Sequence, residues 1–390
     1  MTALFLRLIT ITLVLVFDSL ALAKEFVHPG IAHTKESIEF VKTKIAAGEQ
    51  PWANQWKKMS TSHYAKLSWH PKAYSTVERG PYNDPDIGST EFREDSVAAY
   101  THALHWAISG KEEHAQKAAE IIDAWSSKLK HIKNHDTKLI IGMVGHKFCN
   151  AAELLKHTWN GWPEAQQKQF ATLLRELWYP HIKDFYPTAN GNWDASMLQT
   201  MIAIGVFLDD RAMFDRATNY YLQGKGNGAI TNYFMESGQC QESGRDQAHT
   251  QMGLDFLATC AETAWNQGVD LYSAADNRLL KGFEYTAKYN LGHDVPYKPY
   301  KSVEGRYHYK SISKKARGRL RPMYEKVYNH YHNRKGLEAN YSNQALQKIR
   351  KYTPRPHSRR QPLGTLPWGA LMFANQPTTL TLAEKTDIKP

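Results

Sequence analysis

The sequence predicts an all-α protein, a toroid of six or seven antiparallel helix hairpins whose inner helix ends surround one groove. Three observations support this. Apolar residues recur at helical spacing, as in Val97, Tyr100, Leu104 and Ala107, through one segment after another. Strand-like alternation is scarce. The helical segments are of similar length and joined by short breaks, which is the layout of antiparallel pairs. An open helical array is the fallback architecture, and no fixed repeat supports a regular solenoid.

The elements follow in order. Met1–Ala23 has a cation at Arg7, an apolar run over Leu8–Phe17 and small residues at Ala21 and Ala23, which is the pattern of a cleavable secretory signal. Asp18 interrupts a run already short for a membrane span. Thr34, with Ser37 behind it, starts a helix reaching about Ala47. Trp69–Thr90 is broken by Pro71, Gly80, Pro81, Pro85 and Gly88, so it reads as a long loop that could close one end of a groove. Helices are expected over Glu91–Gly110, Glu112–Leu129, Lys138–Trp159, Pro163–Phe185, Trp193–Leu208, Arg211–Tyr221, Arg245–Trp265 and Ser273–Leu291. In the second, Ala118, Ile121, Ile122 and Trp125 share a face. The domain should occupy 24–352. Residues 353–390 begin basic and Pro-rich and should pack on the domain or remain partly disordered.

Composition narrows the function. The 390 residues are 42% hydrophobic and 22% charged, a globular balance, with formal net charge +11. That charge favours a polyanionic partner: nucleic acid, membrane surface or acidic polysaccharide. Loss of Met1–Ala23 removes one cation and one anion and leaves the charge unchanged. Export argues against nucleic acid, no later stretch crosses a bilayer, and the expected partner is an acidic polysaccharide met in the periplasm or outside the cell by a monomer. The 11 Trp and 21 Tyr supply faces for stacking on sugar rings, although most should be core. Cys149, Cys240 and Cys260 make no disulfide framework and read as buried thiols.

Four stretches carry chemistry. Arg317–Tyr331 collects Arg317, Arg319, Arg321, Tyr324, Tyr328, His330 and Tyr331. Guanidinium groups hold carboxylates, and a phenol beside them can move a proton, which suits elimination on an acidic sugar. Asn190–Ser196 offers the Asn192 amide and the Trp193 ring. Glu236–Gln251 brings Arg245, Asp246, Gln247 and His249 together after a Gly-bearing turn, with Arg245 and His249 on one helix face. His146 and Asn150 likewise share a face. Hydrolysis by paired carboxylates would draw on Asp194, Glu242 or Asp246. His330 and His332 lack a third ligand, so no metal and no cofactor are expected.

These residues resemble a known family. Arg317-Gly318 followed by Tyr324 and by Tyr328-Asn329-His330-Tyr331 resembles the Arg-Gly…Tyr signature of alginate lyases with α/α-toroid folds. Asn192–Trp193 stands where those enzymes carry Asn-His, and Glu242–His249 is similar to a segment of a related branch of polyuronate lyases. The resemblance spans roughly Glu91 to Tyr331. It implies an enzyme that cleaves uronic-acid polymers by β-elimination without a metal, most readily mannuronate-rich alginate. In the roles it implies, Asn192 and His249 neutralise the C5 carboxylate, Arg317 assists, and Tyr324 serves as base and acid. Trp193, Arg245, Gln247, His146, Asn150 and Arg321 would contact substrate. Trp193 departs from the pattern, so the imidazole must come from His249 or His146, and Tyr307 and Tyr309 are rival phenols. The alternatives are a glycoside hydrolase and a non-catalytic binder of acidic glycans.

Overall fold

Two helices explain why the chain builds around a centre. α8 (Gly191–Phe207) carries one charged residue, Asp194, and every residue in it is buried. α5 (Thr137–Thr158) is buried from Leu139 to Leu155. A helix apolar all round must be surrounded by protein, so both are inner helices. Gly142 allows their close approach: a Cβ there would lie 2.4 Å from Ser196 Oγ. Gln199 Nε2 then donates to the Gly142 carbonyl at 2.8 Å.

The computed structural model describes residues 25–351 and 364–375. α3 (Ser89–Ser109), α5, α8 and α11 (Gln247–Asn266) stand side by side as an inner row. They run in one direction. Trp106 near the end of α3 bonds Thr158 at the end of α5, and the strap 25–33 is bonded by Asn150 and Glu153 of α5 and by Asn266 of α11. The row closes on itself, because α11 touches α13 (Tyr324–Tyr328), α13 touches α15 (Gly369–Met372), and α15 touches α1 (Lys35–Ala46), which returns to α3. Outer partners are α2 (Trp52–Ser60), α4 (Glu112–Lys128), α6 (Glu164–Thr172) running on into α7 (Tyr179–Ile182), α9 (Arg211–Gln223), the single turn α10 (Ile230–Tyr233), α12 (Ala274–Asn290) and α14 (Asn340–Lys351). The fold is the expected α/α toroid. α4 buries Ala118, Ile121, Ile122 and Trp125, as its periodicity requires.

Differences from expectation are local. The expected helix over Pro163–Phe185 is present as one run over 164–182, but a π-turn at Leu173–Trp178 lies between α6 and α7, and Pro180 follows it. The Trp69–Thr90 loop contains two short strands, β1 (Thr76–Arg79) and β2 (Asp86–Ile87), and β1 pairs in parallel with β3 (His131–Lys133). A hairpin of β4 (Tyr300–Lys301) and β5 (His308–Tyr309) lies beyond α12, with Tyr300 opposite Tyr309. Residues 364–375 enter the ring: Leu366, Leu371, Met372 and Phe373 are buried, and Trp368 bonds Thr101 of α3. All three cysteines are free and buried. Among the described residues no helix is long and apolar enough to cross a membrane. Met1–Ala23 and residues 352–363 and 376–390 lie outside the described residues.

Candidate active site

The parallel inner row puts the N-termini of α8 and α11 at one end of the ring, where their dipoles favour an anion. Leading N–H groups of both helices are already bonded, Gly191 to Gln241, Asn192 to Glu242, Gln247 to the Lys315 carbonyl and His249 to Asp246. The turn before α11 places a carboxylate beneath them. Glu242 is fully buried, and its Oε2 accepts from the Asn192 backbone N–H (3.1 Å) and the Tyr233 hydroxyl (2.8 Å). Its Oε1 accepts from Arg245 Nη1 at 2.7 Å. Glu242 therefore fixes the start of α8 and orients the Arg245 guanidinium, which also reaches Asn192 Oδ1 at 3.4 Å. Asn192 Nδ2 is buried and has no hydrogen-bond partner among the described residues. An amide donor without a partner beside a guanidinium is a donor set that suits a carboxylate.

The imidazole is held from below. Asp246 caps α11, accepting from the His249 backbone N–H at 2.8 Å, and its other oxygen bonds His249 Nδ1 at 2.7 Å. Burial pushes the Asp246 carboxyl up, but the two bonds from His249 outweigh that and hold it down at about 2. An ionised Asp246 accepts a hydrogen bond from His249 Nδ1–H, and in the neutral ring that tautomer leaves the lone pair on Nε2. The His249 side chain is 37% exposed, enough to meet a ligand.

The phenol comes from β5. Tyr309 donates to Asn190 Oδ1 at 3.2 Å, and the same oxygen accepts from Gln241. Gly244 lets the hairpin sit this close, since a Cβ there would lie 2.3 Å from Tyr309 Cβ. Burial and the nearby Glu242 push the Tyr309 hydroxyl up to about 12 against the pull of Arg245, so it stays protonated at neutral pH. Tyr307 stacks parallel to it, with ring centroids 6.2 Å apart. On the other side Trp193 meets Tyr186 and His135 edge-on at 5.2 and 5.4 Å, which forms an aromatic wall.

Of the sequence-predicted residues, Asn192, Trp193, Arg245 and His249 gather here. Arg321 stands close behind, in the field of Asp246 and Asp255. The others go elsewhere. Tyr324 is fully buried, packed edge-on against Phe283 at 5.6 Å; burial pushes its hydroxyl far up, and that hydroxyl has no partner among the described residues. It is a core residue. Arg317 closes the end of α12, donating to the carbonyls of Tyr289 (2.9 Å) and His293 (2.8 Å). Gln247 spends its amide on Ser243 and Ser313 carbonyls and accepts from Asn290, so it fastens the 311–319 segment rather than facing substrate. His146 is buried inside α5, and burial pushes its ring well below the usual histidine range. Asn150 accepts from the Ala32 N–H and donates to the His146 carbonyl, a structural tie. Sequence reasoning named Glu242 only as a hydrolytic acid and gave Asn190 no role of its own; here Glu242 clamps Asn192 and Arg245, and Asn190 accepts from Tyr309. An acid three residues before an arginine was the available signal.

A family model described as Alginate lyase matches residues 46–295. Among solved structures, an alginate lyase from Bacteroides ovatus is similar in fold, at TM-score 0.61 and 11% identity, covering 90% of this chain and 100% of that one. Alginate lyase A1-III from Sphingomonas species A1 aligns at TM-score 0.59 and 14% identity, over 89% of this chain and 98% of that one. A tyrosine-to-phenylalanine variant of A1-III complexed with a tetrasaccharide aligns at TM-score 0.61 and 15% identity, over 89% and 97% of the two chains. No curated protein matches the sequence.

Proposed function

We propose that this chain, which belongs to the alginate lyase family and is a polysaccharide lyase, cleaves alginate by β-elimination in the cleft between α8, α11 and β5. The observation that carries this reading is the Asn192 amide without a partner beside the Arg245 guanidinium, with the His249 imidazole held by Asp246, next to Arg245 in the chain, and the protonated Tyr309 phenol bonded to Asn190, two residues before Asn192.

The C5 proton of a uronate is a very weak acid until the charge developing on its carboxylate is stabilised. Asn192 Nδ2 and Arg245 donate to that carboxylate, and the α8 and α11 N-termini add their dipoles. His249 Nε2 takes the C5 proton, and Asp246 holds the resulting imidazolium. The electron pair forms the C4–C5 double bond, the C4–O bond breaks, and Tyr309 gives its proton to the departing oxygen. Each cleavage makes one unsaturated uronate end and one new reducing end. This replaces Tyr324 by Tyr309 and divides the base and acid roles that the sequence reading had given to one phenol. The aromatic wall of Trp193, Tyr186 and His135 stacks on a neighbouring sugar. Mannuronate-rich blocks, an extracellular or periplasmic setting and a monomeric enzyme remain part of this proposal.

Defined mannuronate, guluronate and glucuronate polymers separate the readings. A lyase gives rising ultraviolet absorbance together with new reducing ends. Reducing ends alone would mean hydrolysis, and neither signal, with binding retained, would mean a non-catalytic glycan binder.

A further inference from the structure

The far end of the ring holds a second cluster that the lyase reading does not use. Glu153, near the end of α5, is 1% exposed. Its Oε1 lies 2.7 Å from His28 Nδ1 and accepts from the Gly30 N–H at 3.1 Å. Its Oε2 faces His157 Nε2 at 3.6 Å, and both of these atoms are buried without a hydrogen-bond partner among the described residues. The His28 and His157 rings stack at 4.3 Å. His28 Nε2 lies 2.8 Å from Asp209, which follows α8. Asn192 and Asp209 are separated by the length of α8, about 25 Å at 1.5 Å per residue, so this cluster is remote from the cleft.

We infer that His28, Glu153 and His157 form a binding site for a divalent transition-metal ion, with zinc the best match. The three residues offer ligand atoms that all lie within 4.8 Å of one another. Ligand atoms around a tetrahedral zinc, at bonds near 2.1 Å, stand about 3.4 Å apart, so small side-chain shifts suffice. Two imidazoles and one carboxylate are a donor set suited to zinc. Asp209 completes the arrangement: it accepts from His28 Nε2–H at 2.8 Å and so holds the ring as a carboxylate behind a metal-bound histidine does, once Nδ1, which here donates to Glu153 Oε1, has released its proton to solvent and turned its lone pair to the ion. A doubly protonated His28 would bond Glu153 and Asp209 but leave Glu153 Oε2 and His157 Nε2 facing each other unpaired. An ion between them satisfies both. Its consequence is structural, because His28 belongs to the strap 25–33 and the other two ligands to α5. The metal fastens the strap to the base of the ring.

The test uses the full chain, stripped with a chelator and titrated with zinc chloride by calorimetry. One equivalent should bind, and a hundredfold excess over Kd should raise Tm by on the order of 4 °C. His157→Gln, at the partly exposed edge of the cluster, should remove both effects while circular dichroism stays unchanged; Glu153→Gln should do the same. His131→Ala, an exposed histidine on β3, should bind as the parent does. Cobalt in place of zinc should give the intense visible bands of a four-coordinate site. Failure of the parent chain to bind zinc overturns the inference, and so does undiminished binding in a folded His157→Gln protein. Alginate cleavage does not enter the readout, so this result stands apart from that of the lyase reading.

Discussion

Two buried glutamates, one at each end of the ring, are neutralised in opposite ways. Glu242 sits under the cleft with both oxygens engaged by a guanidinium, a phenol and a backbone N–H. Glu153 sits at the far end with one oxygen bonded and the other facing an imidazole nitrogen beyond hydrogen-bond reach. A buried carboxylate is costly unless paired, so each needs a positive partner. At the cleft the partner is built in, and in the mechanism we propose the same guanidinium and the Asn192 amide receive a second, external carboxylate. At the far end the internal donors fall short, and a cation from solution completes the set. One end is arranged to receive an anion, the other a cation.

The sharpest way to break the first half of this contrast is to remove the phenol. Tyr309→Phe should lower kcat by about 10²–10⁴-fold with little change in KM, read from product absorbance on alginate. Tyr324→Phe should leave kcat unchanged, and Tm unchanged or slightly higher, because a buried hydroxyl without a partner is lost. Equal losses in the two variants would return the proton-transfer role to the core tyrosine. Next in size is Arg245→Met, which leaves Glu242 without its cation. It should cost about 3 kcal/mol by denaturant unfolding, besides raising KM.

A smaller effect lies in the acid limb. The folded-state value of Asp246, about 2, is below the unfolded one, so its stabilisation is full above about pH 4 and is lost as pH falls through 2. The contribution is roughly 2 kcal/mol. In His249→Ala, which removes the side-chain bond and keeps the backbone one, that acid-limb loss should shrink by about half. An identical acid limb in parent and variant would detach Asp246 from His249. At the far end, burial pushes the Glu153 carboxyl up, so no matching loss is expected from it.

The ring was legible because helical periodicity is a local property: α4 buries the face its sequence marks, and α8, mostly apolar, is buried throughout. The cleft was half legible. Asn192, Trp193, Arg245 and His249 stand at helix starts, where residue type and a preceding Gly-bearing turn give direction. Tyr324 misled because α13 buries that ring against Phe283, which the arginines preceding it in sequence do not reveal. Tyr309 was only a rival, since its place depends on a hairpin packed over Gly244, a long-range contact that no local pattern encodes. The far-end cluster joins residue 28 to residues 153 and 157, across about a third of the chain. Only α5's 153–157 spacing was visible, and it reads as an ordinary i, i+4 pair.

The smallest expected effect separates the two arginines at the cleft end. Arg245 is bonded to a carboxylate that orients it, whereas Arg317 donates to two carbonyls past the end of α12 and lies over the Tyr289 ring at 4.0 Å. A cation at a helix C-terminus satisfies orphan carbonyls and opposes the dipole there. Arg317→Ala should therefore cost about 1 kcal/mol of stability and leave kcat/KM on alginate at the parent value. A large loss of kcat/KM with unchanged stability would mean that its guanidinium leaves α12 to meet the substrate carboxylate, and that the cleft draws its cation from the 311–319 segment rather than from the turn before α11.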